Sequence, residues 1–303
     1  MRLLLTGGTG FVGSALRESL TQKGHEVVIL TRQASRENQP GIRTRYASWN
    51  PNQSGPWERE LDGVDGVVNL AGEPIVGKRW TPEQKQKIVE SRVGATHAIV
   101  EAIRNAKRKP LFLINASAIG YYGPHGNEEL TEESPRGNDF LGETSQKWEA
   151  EALRAEELAI RVVRIRIGIV LEIGGGALAK MLPPFQWGLG GPLGSGNQWM
   201  SWIHRKDLIG LIHWAVEKKE IRGALNATAP APATMKEFAQ TLGRVLRRPA
   251  FFPVPEFAVK LLLGEMSDVL LKGQRVLPKR ALATGYTFQF PKLEPALKEI
   301  FIK

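Results

Sequence analysis

A glycine-rich segment near the start of the chain has the residue types and spacing that hold a dinucleotide. Residues 6–13 read Thr-Gly-Gly-Thr-Gly-Phe-Val-Gly and follow the apolar run Leu3-Leu4-Leu5. A glycine at position 7 allows a tight turn, one at 10 lets the backbone approach a diphosphate, and one at 13 allows close helix–strand packing. The diphosphate then lies at the N-terminus of the following helix, whose free N–H groups attract anions. We therefore predict that this segment binds a dinucleotide through Gly7, Thr9, Gly10, Phe11, Val12 and Gly13.

The residues after the second predicted strand indicate which dinucleotide is bound. An acid at this point would bond the ribose 2′-hydroxyl of NAD, whereas an arginine accommodates the 2′-phosphate of NADP. The chain has Thr31 and Arg32 here and no acid. A guanidinium can bind phosphate with two parallel hydrogen bonds. We predict NADP; the alternative is that Arg32 only faces solvent.

The order of elements predicts an α/β fold, a Rossmann doubly wound parallel sheet with a small C-terminal substrate lobe. Strands alternate with helices through the first half of the chain, a pattern typical of a parallel sheet covered by helices. We assign residues 1–169 to the NADP-binding domain, with 199–228 returning to it, and residues 170–198 and 229–303 to the small lobe. Strands are predicted at 26–31, 65–71, 111–116, 160–169, 199–204 and 224–228, and helices at 82–106 and 140–157, with Asp207 helping to begin another helix.

Composition excludes several classes of protein. The 303 residues include no cysteine and five scattered histidines, which argues against disulfides, thiol catalysis and a zinc site. No apolar stretch reaches the roughly 18 residues of a membrane span, and no signal peptide precedes the first strand, so we expect a cytoplasmic or organelle-soluble protein. The net charge of +10 raises the question of nucleic acid. Its basic clusters lack interleaved aromatic residues, so we favour a solvated basic surface with affinity for an anionic cofactor.

Several further segments give the chain a resemblance to a known family. They are Asn69-Leu70-Ala71-Gly72 after the fourth strand, Ser117 at the end of the fifth, Gly120-Tyr121-Tyr122-Gly123, Lys147-Trp148-Glu149, residues 188–196, Trp202-Ile203-His204 and Gly273-Gln274-Arg275-Val276-Leu277-Pro278. Together with residues 6–13 they resemble the extended short-chain dehydrogenase/reductases, and within them an atypical subgroup labelled "epimerase family protein" that carries a C-terminal domain of uncharacterised function. The resemblance covers essentially the whole chain.

The resemblance implies an NADP-binding Rossmann protein related to nucleotide-sugar epimerases, whose substrate is generally unassigned. Carried over to this sequence, Leu70 and Ala71 would line the adenine side of the cofactor, and Gly72 of the same segment would also bind the cofactor. Arg92 would reach the cofactor from the long helix, and the end of the strand at Ile169 would approach the nicotinamide. Some relatives in cyanobacteria and plastids carry a cell- or plastid-division label, which supplies a second functional class.

The catalytic residues of this superfamily are only partly present. Its hydride chemistry uses a Tyr-x-x-x-Lys pair, in which the lysine lowers the pKa of a phenol that is near 10 in water. Lys147 lies in the expected helix, but Glu143 stands four residues before it, and a shifted register places Leu141 and Ser145 at the paired positions. Neither register contains the tyrosine.

Other groups are candidates for the missing proton transfer. Ser117 occupies the expected place of the catalytic hydroxyl, although it would serve equally well as a hydrogen bond to the strand end. Tyr121 is a candidate replacement for the phenol, with one tyrosine of the Tyr121–Tyr122 pair packed on the sheet and the other facing the cleft. His204 is a candidate base, with a structural role as the alternative. The cations of Lys78-Arg79 and Arg205-Lys206 are candidates to hold an anionic substrate.

Two functions remain open from the sequence. The first is an NADP-dependent oxidoreductase or epimerase-like enzyme with Ser117, Tyr121 and Lys147 as its catalytic residues. Its substrate would be a small molecule, whether or not that molecule is linked to a nucleotide. The second is a non-enzymatic NADP-binding regulator, for which the missing tyrosine is the main argument. A stripe formed by Val89, Val93 and Val100 on the long helix suggests a homodimer interface, unless the chain itself covers it.

Overall fold

A seven-stranded parallel sheet forms the centre of the protein. The computed structural model describes residues 1–32 and 43–302. The central strands are β1 (Arg2–Thr6), β2 (Glu26–Thr31), β3 (Thr44–Ser48), β4 (Gly66–Asn69), β5 (Phe112–Ala118), β7 (Arg161–Ile167) and β11 (Gly223–Ala227). Their order across the sheet is β3-β2-β1-β4-β5-β7-β11. The order reverses between β1 and β4, so the sheet is doubly wound, as predicted.

Short strands make three small pairs beside this sheet in the described residues. They are β6 (Glu129–Leu130), β8 (Ile169–Leu171), β9 (Trp199–Met200), β10 (Trp202–His204), β12 (Ala233–Thr234) and β13 (Arg275–Val276). β8 pairs with β10, β9 with β12, and β6 with β13. The predicted strand at 160–169 therefore ends at Ile167, and Ile169 begins β8 instead.

Helices cover both faces of the sheet and build the C-terminal part of the chain. They are α1 (Phe11–Gln22), α2 (Pro82–Val89), α3 (Ala95–Asn105), α4 (Phe140–Leu153), α5 (Gly176–Gln186), α6 (Arg205–Glu217), α7 (Met235–Leu246), α8 (Glu256–Leu263), α9 (Ser267–Leu271), α10 (Lys279–Ala283) and α11 (Leu293–Phe301). The predicted long helix over 82–106 is α2 and α3 joined by one π-helical turn, Glu90–Gly94. Such turns are rare and frequently lie at functional sites.

The core follows from the alternation of side chains along the strands. Leu3 and Leu5 of β1 face the side covered by α1 and α6, whereas Leu4 faces the side covered by α3. Both faces are buried, which explains why the strands are continuous apolar runs. A third cluster unites α5, α7 and α11 with Trp202 of β10. The boundaries predicted for the small lobe remain a prediction.

One prediction made for a helical residue matches the structure and another needs correction. Asp207 lies in the first turn of α6, where an acid favours the start of a helix, while His204 occupies the N-cap and its Nδ1 accepts from the Lys206 N–H at 3.1 Å. Asp207 is buried and accepts from the backbone N–H groups of Gln289 and Phe290. In the proposed valine stripe, Val100 is fully buried in the core, while Val89 and Val93 are half-buried. The dimer remains a prediction.

A buried ion pair joins β7 to α4. The Nε and Nη2 of Arg166 donate to the two carboxylate oxygens of Glu149 at 2.7 and 2.9 Å, and both side chains are 3% exposed. Arg164 donates to Glu149 Oε2 at 2.8 Å. Burial opposes the charge of Arg166, but its hydrogen bonds to Glu149 outweigh that effect and raise its pKa. The two-pronged contact fixes both the distance and the rotation of α4 relative to the sheet.

The ion pair extends into a hydrogen-bonded network that ties three strands together. The hydroxyl of Ser117 on β5 donates to Glu149 Oε1 at 2.7 Å. Arg166 Nη1 donates to the Tyr122 oxygen at 2.8 Å, and that hydroxyl donates to Asn226 Oδ1 on β11 at 2.7 Å. Burial raises the pKa of Tyr122 to about 12, so it stays protonated as the donor.

Removing the arginine should destabilise the fold strongly. Arg166→Ala leaves the Glu149 carboxylate buried without its main partner, and breaking such a pair costs about 3–5 kcal/mol. Lys147→Ala, at an exposed position of the same helix, should change the free energy of unfolding by less than about 0.5 kcal/mol. Urea unfolding measures both. A loss of under about 1 kcal/mol for Arg166→Ala would contradict the structural role given to this pair.

The pH dependence of stability should report on His213. This residue of α6 lies against α1, with its Nε2 2.9 Å from Ser19 Oγ, and burial lowers its pKa to about 4 from 6.5. The unfolded chain therefore takes up a proton at a higher pH than the folded chain. The stabilisation is fully present above pH 6.5 and is lost as the pH falls towards 4, by about 3 kcal/mol at most. Urea unfolding between pH 7.5 and 4.5 should show this slope, and His213→Gln should flatten it; an unchanged slope in the variant would refute the assignment.

Candidate functional site

The glycine-rich segment forms a tight loop between β1 and α1. Gly7 has a φ of +67°, and a Cβ added there would lie 2.6 Å from the carbonyl oxygen of Leu70. A Cβ on Gly13 would lie 2.1 Å from Gly7 O. The loop closes with a hydrogen bond from Gly10 N to Gly7 O at 3.0 Å. Any side chain at either position would open the loop.

The start of α1 is available to a ligand. Gly10 is its N-cap and supplies no side-chain cap, so the first N–H groups of the helix lack the usual protein acceptor. Thr9 and Gly10 are exposed, and Phe11 and Val12 are half-buried. These N–H groups and the positive end of the helix dipole are features that favour an anion. The binding of a diphosphate here remains a prediction.

A buried polar cluster holds the strand ends that form the floor of this site. Thr6 Oγ1 donates to Asn69 Oδ1 at 2.5 Å, and Asn69 Nδ2 donates to Asn115 Oδ1 at 2.7 Å and Thr96 Oγ1 at 2.9 Å. The backbone N–H of Ala71 donates to Thr6 Oγ1 at 3.2 Å. The cluster thus fixes β1, β4 and β5 relative to one another and places the 70–72 turn beside the glycine-rich loop.

Arg92 reaches this turn from the π-helical segment. A Cβ on Gly72 would lie 3.3 Å from Arg92 Cζ. The guanidinium lies over the Trp148 ring at 5.3 Å and donates to Ile88 O at 3.1 Å. Burial lowers the pKa of Arg92 to about 10, so it is still charged near neutral pH. A partly desolvated cation at this point fits the predicted contact with an anionic cofactor.

The two residues predicted to recognise the 2′-phosphate lie at the end of β2. Thr31 is buried and is the last residue of the strand, paired in register with Ser48. Arg32 follows and is exposed. Their role with the cofactor remains a prediction.

A cleft of about 610 Å³ opens at the carboxyl ends of the strands, where ligands of such sheets bind. Phe11 lines it from the glycine-rich loop, Ile169 from β8 and Arg92 from the long helix. Other walls come from the loop at 74–80, the start of α4, α5 and the segment 265–274 of the C-terminal part. Three of the predicted cofactor residues and the C-terminal part of the chain therefore meet at one cleft.

Ser117 does not face this cleft. It is 2% exposed and its hydroxyl is used by Glu149. The next residue, Ala118, lines the cleft instead, because consecutive strand residues point to opposite sides. The prediction that Ser117 is catalytic is thus contradicted by its direction, and its other predicted role, a structural hydrogen bond, is observed.

Lys147 also lies outside the cleft. It is exposed, and among the described residues of α4 it is Leu141 and Ser145 that line the cleft, with Phe140 and Thr144. The shifted register is therefore the one that faces the site. Leucine and serine stand at the two positions where the family resemblance implies tyrosine and lysine, and the prediction that Lys147 acts in the cleft is wrong.

The remaining candidates for proton transfer are engaged elsewhere. The Arg166 guanidinium lies 3.5 Å from the centre of the Tyr121 ring, and Tyr121 packs edge-on against the buried Tyr122 at 5.4 Å. The Tyr121 ring thus packs against Arg166, and Tyr121 is not among the described residues that line the cleft. His204 is fully buried; its Nδ1 caps α6 and its Nε2 lies 2.8 Å from Glu299 Oε2. Burial lowers the pKa of His204.

The cations that were predicted to hold an anionic substrate have protein partners. Lys78 pairs with Glu73 at 3.1 Å, and Arg79 donates to the carbonyl oxygens of Leu261 and Leu262. Arg205 pairs with Glu172 and Lys206 with Glu299. Glu172, His204 and Glu299 come within 4.8 Å of one another, but these ion pairs and the helix cap already occupy them.

A second cavity, of about 660 Å³, lies in the C-terminal part of the chain. Its described lining includes four cations, namely Lys236, Arg244, Arg247 and Arg248. It shares no described lining residue with the cleft and receives none from the glycine-rich loop. Four of the chain's cations thus line a cavity that is separate from the cleft.

Sequence reasoning missed the walls of the cleft. Trp80 and Phe140 pack edge to face at 5.2 Å, and both line it together with Val269 and Leu270. Trp80 appeared in the sequence only beside two cations, and residues 265–272 carried no motif. The run Gly273-Gln274 was part of the resemblance, which was the one signal for this wall.

Within the described residues, no helix is both long and apolar enough to span a membrane.

Comparisons with known proteins agree with this architecture. The NAD dependent epimerase/dehydratase family matches residues 3–227, and a domain of unknown function matches residues 254–300. Epimerase family protein YfhF of Bacillus subtilis is 43% identical over 301 residues, covering 99% of this chain and 98% of its own. The chloroplastic SDR39U1 homologue of Arabidopsis thaliana is 43% identical over 302 residues, covering 99% and 86%.

A solved structure extends the comparison to the cofactor. Human epimerase family protein SDR39U1 (isoform 2), crystallised with NADPH, is 40% identical with a TM-score of 0.88 and 99% of each chain covered. The predicted cofactor type agrees with the one in that structure. By sequence and by fold, this chain belongs to the NAD dependent epimerase/dehydratase family.

Proposed function

We propose that the chain is an NADP(H)-dependent oxidoreductase that acts on a small molecule held in the cleft. The observation that carries the proposal is the position of Phe11, which begins the helix of the glycine-rich loop and also lines the cleft. A dinucleotide at the loop thus has one end at the cleft. The human relative is similar to this chain along its whole length, and the NADPH in its crystal structure supports the choice of cofactor.

The residues present fit this cofactor. The loop around Gly7 and Gly13 has no space for side chains, and the uncapped start of α1 offers N–H groups to a diphosphate. Gly10, Phe11 and Val12 would hold the diphosphate, Leu70 to Gly72 and Arg92 the adenine half, and Arg32 the 2′-phosphate. When bound, NADPH supplies a hydride to the molecule in the cleft.

The protein's own part in the chemistry is mainly binding and exclusion of water. Leu141 supplies no proton at the position where the family resemblance implies a phenol, and Ala118, which lines the cleft next to the buried Ser117, supplies none either. Thr144 Oγ1 donates to Phe140 O at 2.7 Å, whereas Ser145 Oγ makes no hydrogen bond within residues 1–32 and 43–302. Ser145 is therefore the cleft hydroxyl that is free to orient a substrate oxygen and to pass it a proton from water.

The leucine and serine at the positions of the expected Tyr–Lys pair also favour a second function. A site without a Tyr–Lys pair also suits a regulator that binds NADP(H) and a second molecule without turnover, including one that acts in cell or plastid division. The two functions differ in one measurable property, since only the enzyme consumes the reduced cofactor.

Cofactor preference is the first test. NADPH should bind at least about tenfold more tightly than NADH, a difference of about 1.4 kcal/mol, because Arg32 can pair with the 2′-phosphate. Arg32→Asp should reverse the preference, while Arg59→Asp, at another exposed arginine, should lower both affinities alike. Isothermal titration calorimetry measures all six values. Equal affinities for the unmutated protein would rule out this role of Arg32.

Turnover is the second test. We expect NADPH oxidation when the protein is incubated with pooled small-molecule extracts and followed by absorbance. Ser145→Ala should slow the reaction about 10²-fold, as loss of a positioned proton donor does, and Lys147→Ala on the outer face of the same helix should leave the rate within about threefold. Absence of turnover in every pool would favour the regulator, and a strong loss in Lys147→Ala would restore that residue to the site.

A further inference from the structure

The interior of the cleft is apolar. Trp80, Phe140 and Leu141 form one side, and Val269 and Leu270 lie on the C-terminal side. The indole nitrogen of Trp80 donates to Ile75 O at 2.9 Å, so its polar atom is satisfied by the protein and its carbon surface is left for the cleft. Surfaces of this kind bind flat apolar rings, which gain most from leaving water.

The charges around the cleft cancel. The described lining residues include three cations and three carboxylates, namely Arg92, Lys180, Lys272, Asp139, Glu265 and Asp268. Most of them already have protein partners: Lys272 pairs with Asp268 at 2.9 Å, Glu265 pairs with Lys85 at 2.6 Å and Lys180 donates to Val76 O at 2.7 Å. Arg92 lies on the cofactor side, against Gly72. The part of the cleft formed by residues 1–32 and 43–302 therefore lacks a cluster of cations for a second diphosphate.

A small number of polar groups remain for a ligand. Ser145 and Gln274 both line the cleft, and each has a polar side chain. Ser201 also lines it, but its hydroxyl donates to Gln274 O at 2.7 Å and accepts from Val276 N at 2.8 Å. These groups suit one carbonyl or hydroxyl oxygen on a largely apolar molecule.

We propose that the cleft takes a neutral, mainly apolar ring compound with one hydrogen-bonding oxygen, and not the nucleotide sugar that the family resemblance suggests. The proposal rests on the proposed function only in placing the cofactor beside this ligand. A nucleotide sugar would bring a diphosphate that needs cations, since a buried unpaired charge is strongly disfavoured. A neutral ring would instead bury its surface against Trp80 and Leu141 and direct its oxygen to Ser145.

Calorimetry with two probes tests the proposal on the protein saturated with NADP⁺. The probes are 2-methyl-1,4-naphthoquinone, which is neutral and flat, and UDP-glucose. The chain has no cysteine, so the quinone cannot bind covalently to a thiol. We expect the naphthoquinone to bind at least tenfold more tightly than UDP-glucose. Tighter binding of UDP-glucose, or no binding of the naphthoquinone, would overturn the proposal.

A pair of variants locates the binding in the cleft. Leu141→Asp adds a carboxylate to the apolar wall and should weaken naphthoquinone binding at least tenfold, with NADPH affinity changed by less than threefold. Leu282→Asp is the matched control, because Leu282 is half exposed on α10 and does not line the described cleft. Equal effects of the two variants would contradict the site. Failure of the unmutated protein to bind NADPH would refute the proposed function, and naphthoquinone titrated without nucleotide would still decide this proposal.

Discussion

The buried contact between Arg166 and Glu149 decides which groups this protein can use for chemistry. Two charges out of water are stable only with close mutual contact and further hydrogen bonds, and here Arg164, Ser117 and Tyr122 provide them. Because these side chains form hydrogen bonds with the ion pair, none of them is available to a ligand in the cleft. The pair also fixes the rotation of α4, and with it the residues that α4 presents to a ligand.

The cofactor end and the substrate end of the proposed site consequently depend on different parts of the chain. The first depends on the backbone and the second on side chains. The glycine-rich loop would act through backbone geometry, because the N–H groups proposed to bind the diphosphate do not depend on the neighbouring side-chain chemistry. The buried amides at Asn69 and Asn115 hold that geometry from below. The substrate end depends on side chains, and there Ala118, Leu141 and Ser145 line the cleft.

Sequence reasoning succeeded where structure is decided locally. The spacing of Gly7, Gly10 and Gly13 and the end of β2 at Thr31 follow from turn geometry and apolar runs, and both predictions match the structure. Sequence reasoning failed where a shift of one or two residues along a strand or helix moves a side chain to the opposite face. Ser117 and Ala118 point to opposite sides of β5, and Lys147 lies about 200° around α4 from Ser145. The segment 265–274 could not be placed, since its contact with the cleft depends on tertiary packing and not on local pattern.

The distribution of charge separates affinity from selectivity in this molecule. The chain has a net charge of +10, but the described lining of the cleft carries no excess of cations, because its cations and carboxylates are equal in number. That charge is found at exposed positions such as Arg32 and around the second cavity. Long-range attraction thus acts on the anionic cofactor and raises its rate of encounter. The apolar cleft, by contrast, discriminates through desolvation, since a charged molecule entering it would lose its water without gaining a partner. A protein arranged in this way can hold NADP(H) tightly while it remains selective for a neutral second ligand.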